Sequence, residues 1–219
     1  MKKGTYKFEN IDCMLGMAQY PDKYFDLAIV DPPYGIGADV KNSIQKLQSN
    51  KSASLSKNYG DQKWDSNIPN ESYFNELKRI SKEQIIWGAN YYGLIGGYIY
   101  WRKNVTMPTY SSGELAYCSM INKIEEFEYT WHGMLQQDMK NKEIRIHPTQ
   151  KPIALYKWLL SKYAKEGDKI LDTHVGSASS IIACIDMGFS VVGYELDKDY
   201  FDMANKRIDD YLKQGTLNI

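Results

Sequence analysis

Short apolar runs alternate with amphipathic segments along most of this 219-residue chain, and this pattern predicts alternating strands and helices. The apolar runs have the length of buried strands and lie at residues 5–8, 25–30, 84–87, 98–101, 115–120, 168–171 and 191–194. Helical spacing of apolar positions predicts helices over residues 71–81, 153–163, 179–187 and 198–212, and an amphipathic segment follows a turn at Asp12 and continues to Ala18. Such alternation favours one α/β domain with a mainly parallel sheet and helices on both faces.

Two polar stretches interrupt this alternation. Residues 36–70 are rich in Ser, Asn, Lys and Gln, with a short helix predicted around 44–47. Loops of this length are usually functional or disordered, so we expect a mobile flap over a site, although a solvated insertion fits the composition equally. Residues 125–145 show no regular pattern and are predicted to be irregular.

Composition is that of an ordinary globular protein, with 43% hydrophobic and 25% charged residues and a formal net charge of zero. No apolar run approaches the roughly 20 residues that span a bilayer. The three cysteines, Cys13, Cys118 and Cys184, form neither a metal-binding pattern nor a disulfide framework. We therefore expect a soluble, cytoplasmic protein that binds no membrane and no metal.

Asp31-Pro32-Pro33-Tyr34 follows the apolar run at 25–30 and combines groups that suit one chemical task. The prolines stiffen the chain as it leaves the strand, which holds the carboxylate and the phenol close together. The Asp31 carboxylate and the Pro32 carbonyl can accept the two N–H groups of an exocyclic amine, and the Tyr34 ring can stack on the base that carries it. An ordinary turn is the alternative for so short a motif.

Residues 171–195 have the order strand, glycine-containing turn, helix, strand and acidic residue that is typical of a nucleoside site. Gly176 lets the backbone approach a ligand closely, and Glu195 is placed to accept hydrogen bonds from two ribose hydroxyls. There is no Gly-x-Gly-x-x-Gly pattern and no phosphate-loop lysine. A nucleoside without phosphates fits better, and S-adenosylmethionine is one.

With His147-Pro148-Thr149-Gln150-Lys151-Pro152 between them, these motifs resemble the S-adenosylmethionine-dependent amino-methyltransferases of DNA, which act on adenine N6 or cytosine N4. The motif order is the permuted one, with the catalytic half first. The resemblance implies a circularly permuted, Rossmann-like methyltransferase fold in a single domain. Its parts would be a catalytic region at 1–35, a flap at 36–70, a target-recognition insert at 102–146 and a cofactor-binding region at 147–219.

The resemblance also assigns roles to single residues. Catalysis falls to Asp31, Pro32, Pro33 and Tyr34. Asp12 would read the adenine of the cofactor, Glu195 would bind its ribose, and Thr149 and Lys151 would hold its carboxylate. The full set of implied cofactor-binding residues is Asp12, Asp31, His147, Thr149, Lys151, Asp172, His174, Gly176, Ser177 and Glu195. The candidates for contact with DNA phosphates are Lys41, Lys46, Lys51, Lys57, Arg102 and Lys103.

Two residues depart from the family's turn, which usually reads Asp-x-Phe-x-Gly-Ser-Gly. His174 stands where the phenylalanine is expected, and Ala178 where the last glycine is expected. We expect His174 to pack edge-on as phenylalanine would.

The resemblance implies site-specific methylation of adenine N6 in double-stranded DNA, as in restriction–modification, because in that family Asp at the first position of the motif favours adenine, whereas Ser is common in cytosine N4 enzymes. Cytosine N4 or RNA methylation, and a catalytically inactive DNA-binding relative, are the alternatives. A homodimer and a paired restriction enzyme are left open.

Overall fold

The computed structural model of the chain describes residues 3–37, 65, 67–105, 111–132 and 135–216. The strands in these ranges are β1 Tyr6–Glu9, β2 Phe25–Val30, β3 Ser81–Trp87, β4 Gly97–Arg102, β5 Gly113–Cys118, β6 Ile124–Glu128, β7 Trp131–His132, β8 Leu135–Gln136, β9 Lys169–Asp172 and β10 Ser190–Tyr194. The helices are α1 Cys13–Met17, α2 Glu71–Ile80, α3 Ala89–Tyr92, α4 Ile153–Tyr163, α5 Ser179–Met187 and α6 Lys198–Thr216. No described helix is both long enough and apolar enough to cross a membrane.

One eight-stranded sheet organises the molecule, in the order β1-β10-β9-β2-β3-β5-β4-β6. The neighbours from β1 to β3 are all parallel, and β6 is parallel to β4. Strand β5 runs antiparallel to both of its neighbours. Strands β7 and β8 form a separate antiparallel hairpin. The predicted mainly parallel sheet is confirmed.

Helices cover both faces of the sheet. Side chains in a strand alternate between the two faces, so a single strand can contribute residues to the core on each side. In β2, Leu27 and Ile29 belong to a core cluster with residues of α4, α5 and α6. Ala28 and Val30 belong to a second cluster with residues of α1 and α2. The apolar run in β2 is therefore continuous because it is buried on both sides.

Strands β2 and β9 are neighbours from opposite ends of the chain, and their connections diverge. The chain leaves β9 through α5 toward β10, and it leaves β2 through α2 toward β3 on the other side. In open α/β sheets ligands bind at such a switch point, outside the carboxyl ends of the strands. The Asp31 motif follows β2 and the glycine turn follows β9, so the topology brings both to this point.

The prediction of irregular structure over residues 125–145 was wrong. The segment contains most of β6 and the β7–β8 hairpin. Strand β6 was not predicted because it contains three glutamates, and charged residues are depleted in strands. Arg102 on the neighbouring strand pairs with Glu126 and Glu128 across this edge. The predicted flap and the short helix at 44–47 lie almost entirely outside the described residues.

Candidate active site

A cavity of about 640 Å³ lies at the carboxyl ends of the central strands. Its walls come from the segments after β1, β2, β9 and β10 and from residues 147–151. The predicted cofactor-binding residues that line it are Asp12, Asp31, His147, Thr149, Lys151, His174, Gly176, Ser177 and Glu195. Cavities of about 300–1,000 Å³ are typical of small-molecule sites.

Asp172 does not line the cavity but lies beneath it, 1% exposed. Its carboxylate accepts hydrogen bonds from the Ser180 hydroxyl at 2.5 Å and from the His174 N–H at 3.0 Å. Burial raises the pKa of Asp172 to about 7, partly offset by these hydrogen bonds. Asp172 thus stabilises the turn after β9 through these hydrogen bonds without lining the cavity itself.

The turn after β9 positions Glu195. Gly176, with φ of 53°, donates its N–H to Oε2 of Glu195 at 2.8 Å, and the Asp197 N–H donates to Oε1 at 3.0 Å. Each carboxylate oxygen keeps a free lone pair, so Glu195 can accept two further hydroxyl donors. Ala178 also has a positive φ, 64°, which costs a non-glycine residue roughly 1–2 kcal/mol.

His174 and His147 behave as neutral aromatic groups. The ring of His174 meets that of Tyr73 edge-on, at 5.5 Å between centroids and 69° between planes, as expected for a phenylalanine substitute. Burial lowers the pKa of His174 to about 4. Burial, with a smaller contribution from Lys151, lowers the pKa of His147 to about 3, and its ring packs against Tyr200.

Acidic side chains dominate the charged groups in the walls of this cavity. The carboxylates are those of Asp12, Asp31, Glu195, Asp197 and Asp199, against the ammonium groups of Lys151 and Lys198. A ligand with positive charge and a ribose diol suits such a lining, and S-adenosylmethionine has both. The residues present therefore fit this cofactor.

A second cavity of about 480 Å³ adjoins the first and shares Asp31, Pro33, Thr149 and Lys151 with it. The aromatic rings in its lining are those of Tyr34, Tyr91 and Tyr100. Asp31 therefore stands at the boundary between an acidic nucleoside-sized cavity and an aromatic cavity.

Asp31 is held at this boundary by hydrogen bonds to both of its oxygens. The Tyr34 hydroxyl donates to Oδ1 at 2.6 Å, and Nζ of Lys151 donates to Oδ2 at 2.5 Å. Nζ of Lys151 also lies 2.8 Å from Oε2 of Glu114, whose other oxygen pairs with Lys103. Burial raises the pKa of Asp31, an effect that Lys151 opposes and Glu114 reinforces. Burial also raises the pKa of Glu114, but Lys103 and Lys151 outweigh it and hold that pKa well below its usual range.

The prolines and the tyrosine of the motif are fixed by contacts from α3. The Tyr92 hydroxyl donates to the Pro32 carbonyl at 2.6 Å and to the Pro33 carbonyl at 2.9 Å. The ring of Tyr34 stacks on that of Tyr91, with centroids 5.0 Å apart and planes 17° apart. Each carbonyl retains a second lone pair, so Pro32 can still accept a hydrogen bond from a substrate.

The family model that describes DNA methylases acting at N6 or N4 matches residues 98–206. This chain belongs to that family. It is 25% identical to the Type II methyltransferase M.HpaI of Haemophilus parainfluenzae, in an alignment that covers 84% of this chain and 68% of M.HpaI.

Two solved structures share the fold of this DNA methylase. The M1.HpyAVI–SAM complex aligns with a TM-score of 0.57 at 21% identity, covering 93% of this chain and 100% of that one. The cytosine-N4-specific PvuII DNA methyltransferase aligns with a TM-score of 0.59 at 10% identity, covering 97% and 93%.

The DNA-contact residues predicted for this methylase divide into two groups. Lys41, Lys46, Lys51 and Lys57 lie outside the described residues. Arg102 pairs with Glu126 and Glu128, and Lys103 pairs with Glu114. A phosphate contact by Arg102 or Lys103 would therefore replace an existing carboxylate partner.

Sequence reasoning missed Glu114, which lies in the mostly apolar strand β5. A lone carboxylate amid apolar strand residues was the available signal, since such a group is seldom buried without a partner. Tyr73, Tyr91 and Tyr92 were also missed, because their spacing indicated only ordinary packing.

Proposed function

We propose that this DNA methyltransferase of the N6/N4 family transfers a methyl group from S-adenosylmethionine to N6 of adenine in duplex DNA. The observation that carries the proposal is the place of Asp31, which belongs to the walls of both cavities. A group at this boundary can touch a donor in one cavity and an acceptor in the other, and holding two reactants in line supplies much of the rate in a two-substrate transfer.

The 640 Å³ cavity is the cofactor site in this proposal. Glu195 accepts hydrogen bonds from the ribose hydroxyls, and Asp12, whose Oδ1 already accepts the Met14 N–H at 2.7 Å, reads the adenine. His174, Gly176 and Ser177 surround the methionine part, and Thr149 holds its carboxylate. His147 packs beside Thr149, whose hydroxyl lies 3.1 Å from the His147 Nδ1.

The 480 Å³ cavity takes the target base. A base must leave the duplex to reach it, which costs a few kcal/mol. Stacking on an aromatic side chain is worth about 1–3 kcal/mol per base, and the ring of Tyr34 offers such a surface.

Asp31 and the Pro32 carbonyl make the amino nitrogen nucleophilic by accepting its two N–H groups. These acceptors draw the hydrogens out of the ring plane, which frees the lone pair from the ring. Bound S-adenosylmethionine supplies an electrophilic methyl group on a sulfonium. The nitrogen forms a bond to this carbon as the carbon–sulfur bond breaks, and the electron pair of that bond stays on sulfur. The extra proton on nitrogen passes to the Asp31 carboxylate, which burial makes more basic than an exposed one.

Transfer of a labelled methyl group to unmethylated duplex DNA, followed by digestion to nucleosides, tests the proposal. Label on N6-methyladenosine is the expected result. The fold shared with the cytosine-N4-specific PvuII enzyme favours cytosine N4 as the second candidate, and label on N4-methylcytosine would replace adenine with cytosine. Cofactor binding without label on DNA would overturn the DNA substrate and point to RNA or protein, and absence of cofactor binding would indicate an inactive relative.

A further inference from the structure

We propose that Lys151 and Glu114 are positioning residues for Asp31: Lys151 holds the Asp31 carboxylate ionised and oriented, and Glu114 anchors Lys151 while offsetting part of its charge. The inference rests on the proposed function and deepens it. It differs from the role that the motif alone implies for Lys151, which is to hold the carboxylate of the cofactor.

The three donors of the Lys151 ammonium are all in use. They point to Oδ2 of Asp31 at 2.5 Å, Oε2 of Glu114 at 2.8 Å and the Tyr34 hydroxyl oxygen at 3.1 Å. An ammonium has three N–H groups and no acceptor, so no donor remains for a cofactor carboxylate. The Tyr34 hydroxyl completes the arrangement, because its own proton goes to Oδ1 of Asp31.

Burial of the Lys151 ammonium increases the energetic importance of its contacts with Asp31 and Glu114. Lys151 is 3% exposed, and buried charges persist in proteins only when they are paired. The cluster alternates in sign from Lys103 through Glu114 and Lys151 to Asp31, so its four charges cancel. Lys103 forms one end of the cluster, with its side chain 17% exposed and its ammonium 4.7 Å from the centre of the Trp101 ring.

Lys151 and Glu114 shift the pKa of Asp31 in opposite directions. A nearby cation favours the ionised carboxylate and a nearby anion disfavours it. Burial lowers the pKa of Lys151, but Asp31 and Glu114 outweigh it and raise that pKa, so Lys151 stays charged. The other titratable groups that act on Asp31 are Tyr34, Tyr73, Tyr92, Tyr156 and Asp172. Burial raises the pKa of each of these tyrosines, so they remain neutral donors.

The test is the pH dependence of methyl transfer in a single turnover at saturating cofactor. Activity falls as pH falls through the pKa of Asp31. Glu114→Gln should move this acid limb to lower pH, and Lys151→Met should move it to higher pH, each by about one unit or more. Cofactor affinity, measured by calorimetry, should not fall in either variant. Glu76→Gln is the matched control, since it breaks a 2.8 Å ion pair with Arg79 on α2 and lines neither cavity.

The inference would be overturned if the acid limb moved in the same direction in both variants, or if it moved in neither. The inference would also be overturned if Lys151→Met weakened cofactor binding but left the rate at saturating cofactor unchanged. That result would indicate that Lys151 binds the carboxylate of the cofactor. Because Lys151→Met removes the cation between the carboxylates of Asp31 and Glu114, whose side chains are only 17% and 20% exposed, it can prevent folding. The double variant Lys151→Met/Glu114→Gln is therefore made in parallel. Its acid limb should lie above that of the wild type, since Lys151 acts on Asp31 more strongly than Glu114 does. A limb at or below the wild-type position would contradict the proposal.

A second readout separates this inference from the proposed function. Carbon NMR of protein labelled at its aspartate carboxyls follows the titration of Asp31 directly, with the signal assigned through Asp31→Asn. The same opposite shifts are expected, whichever base accepts the methyl group. Absence of transfer to adenine together with opposite NMR shifts would refute only the substrate, whereas unshifted NMR titrations would refute only the positioning role.

Discussion

The hydroxyl of Tyr34 donates a 2.6 Å hydrogen bond to Oδ1 of Asp31, joining the first and last residues of the motif. Tyr34→Phe removes this bond and keeps the ring. A hydrogen bond to a charged group is worth about 1.5–3 kcal/mol, so methyl transfer should slow by the corresponding factor of roughly ten or more. DNA affinity should hardly change.

Tyr34→Ala is the companion variant, because it also removes the stacking surface. It should weaken DNA binding by about 1–3 kcal/mol in addition to slowing transfer. Single-turnover rates and fluorescence anisotropy with a DNA duplex measure the two effects. Equal DNA affinities for the Phe and Ala variants would argue against stacking on this ring.

Asp31→Ala should remove methyl transfer while leaving cofactor binding largely intact. Loss of a positioned proton acceptor typically costs roughly 10²–10⁴ in rate. Most of the cofactor cavity comes from the segments after β9 and β10, which the substitution does not touch. Labelled-methyl transfer and calorimetry check the two halves of the prediction, and equal loss of both would contradict the assigned roles.

Glu195→Gln should produce the converse result. The amide keeps the size of the side chain but removes the charge and one acceptor, so cofactor affinity should fall by about 1.5–3 kcal/mol. The single-turnover rate at saturating cofactor should remain near that of the wild type. An unchanged dissociation constant, measured by calorimetry beside the Glu76→Gln control, would count against ribose binding by Glu195.

Gly88→Ala should disturb the Asp31–Tyr34 motif, although Gly88 lies outside that motif in the sequence. A Cβ at Gly88 would lie 2.5 Å from Cε1 of Tyr34, and φ there is +81°. The clash should cost about 1–3 kcal/mol beyond the backbone strain and should displace the Tyr34 ring, which slows transfer.

Gly93→Ala is the matched control for this variant. Gly93 ends the same short helix with φ of +64°, but a Cβ there would have no neighbour within 4 Å. It should show only the backbone cost of about 1–2 kcal/mol and retain activity. Thermal unfolding and transfer rates compare the pair, and equal activities in the two variants would argue against the contact between Gly88 and Tyr34 as the cause.

His174→Phe should make the fold less sensitive to acid. Burial lowers the pKa of His174 to about 4, against about 6.5 for an unfolded histidine, so the unfolded chain binds more protons between these values. Stability is therefore lost as pH falls through this window. Phenylalanine keeps the edge-on contact with Tyr73 and removes this site of protonation. The drop in unfolding temperature between about pH 7 and pH 5 should be smaller in the variant, although His147 still contributes; an equal drop would refute the assignment.

Local pattern was sufficient for the elements whose apolar residues repeat regularly. Residues 153–163 and 179–187 are helices with the predicted bounds, and Phe25–Val30 is the predicted strand. Strand β6 was missed because its glutamates are balanced by Arg102 on β4 and Lys162 on α4, partners that only the folded chain brings near. Helix α3 was missed because one turn between Gly88 and Gly93 has too few residues to show a period.

The sequence by itself determined the stiff Asp-Pro-Pro-Tyr exit from β2, the glycine turn after β9 and the order of the two halves, because prolines, glycines and apolar periods act over a few neighbouring residues. The tertiary structure decided which charges meet. Lys151 lies 120 positions from Asp31 along the chain, and its motif predicted a contact with the cofactor. Folding buries its ammonium between Asp31 and Glu114 instead, because a buried charge is stable only beside opposite charges and the sheet places those two carboxylates within its reach.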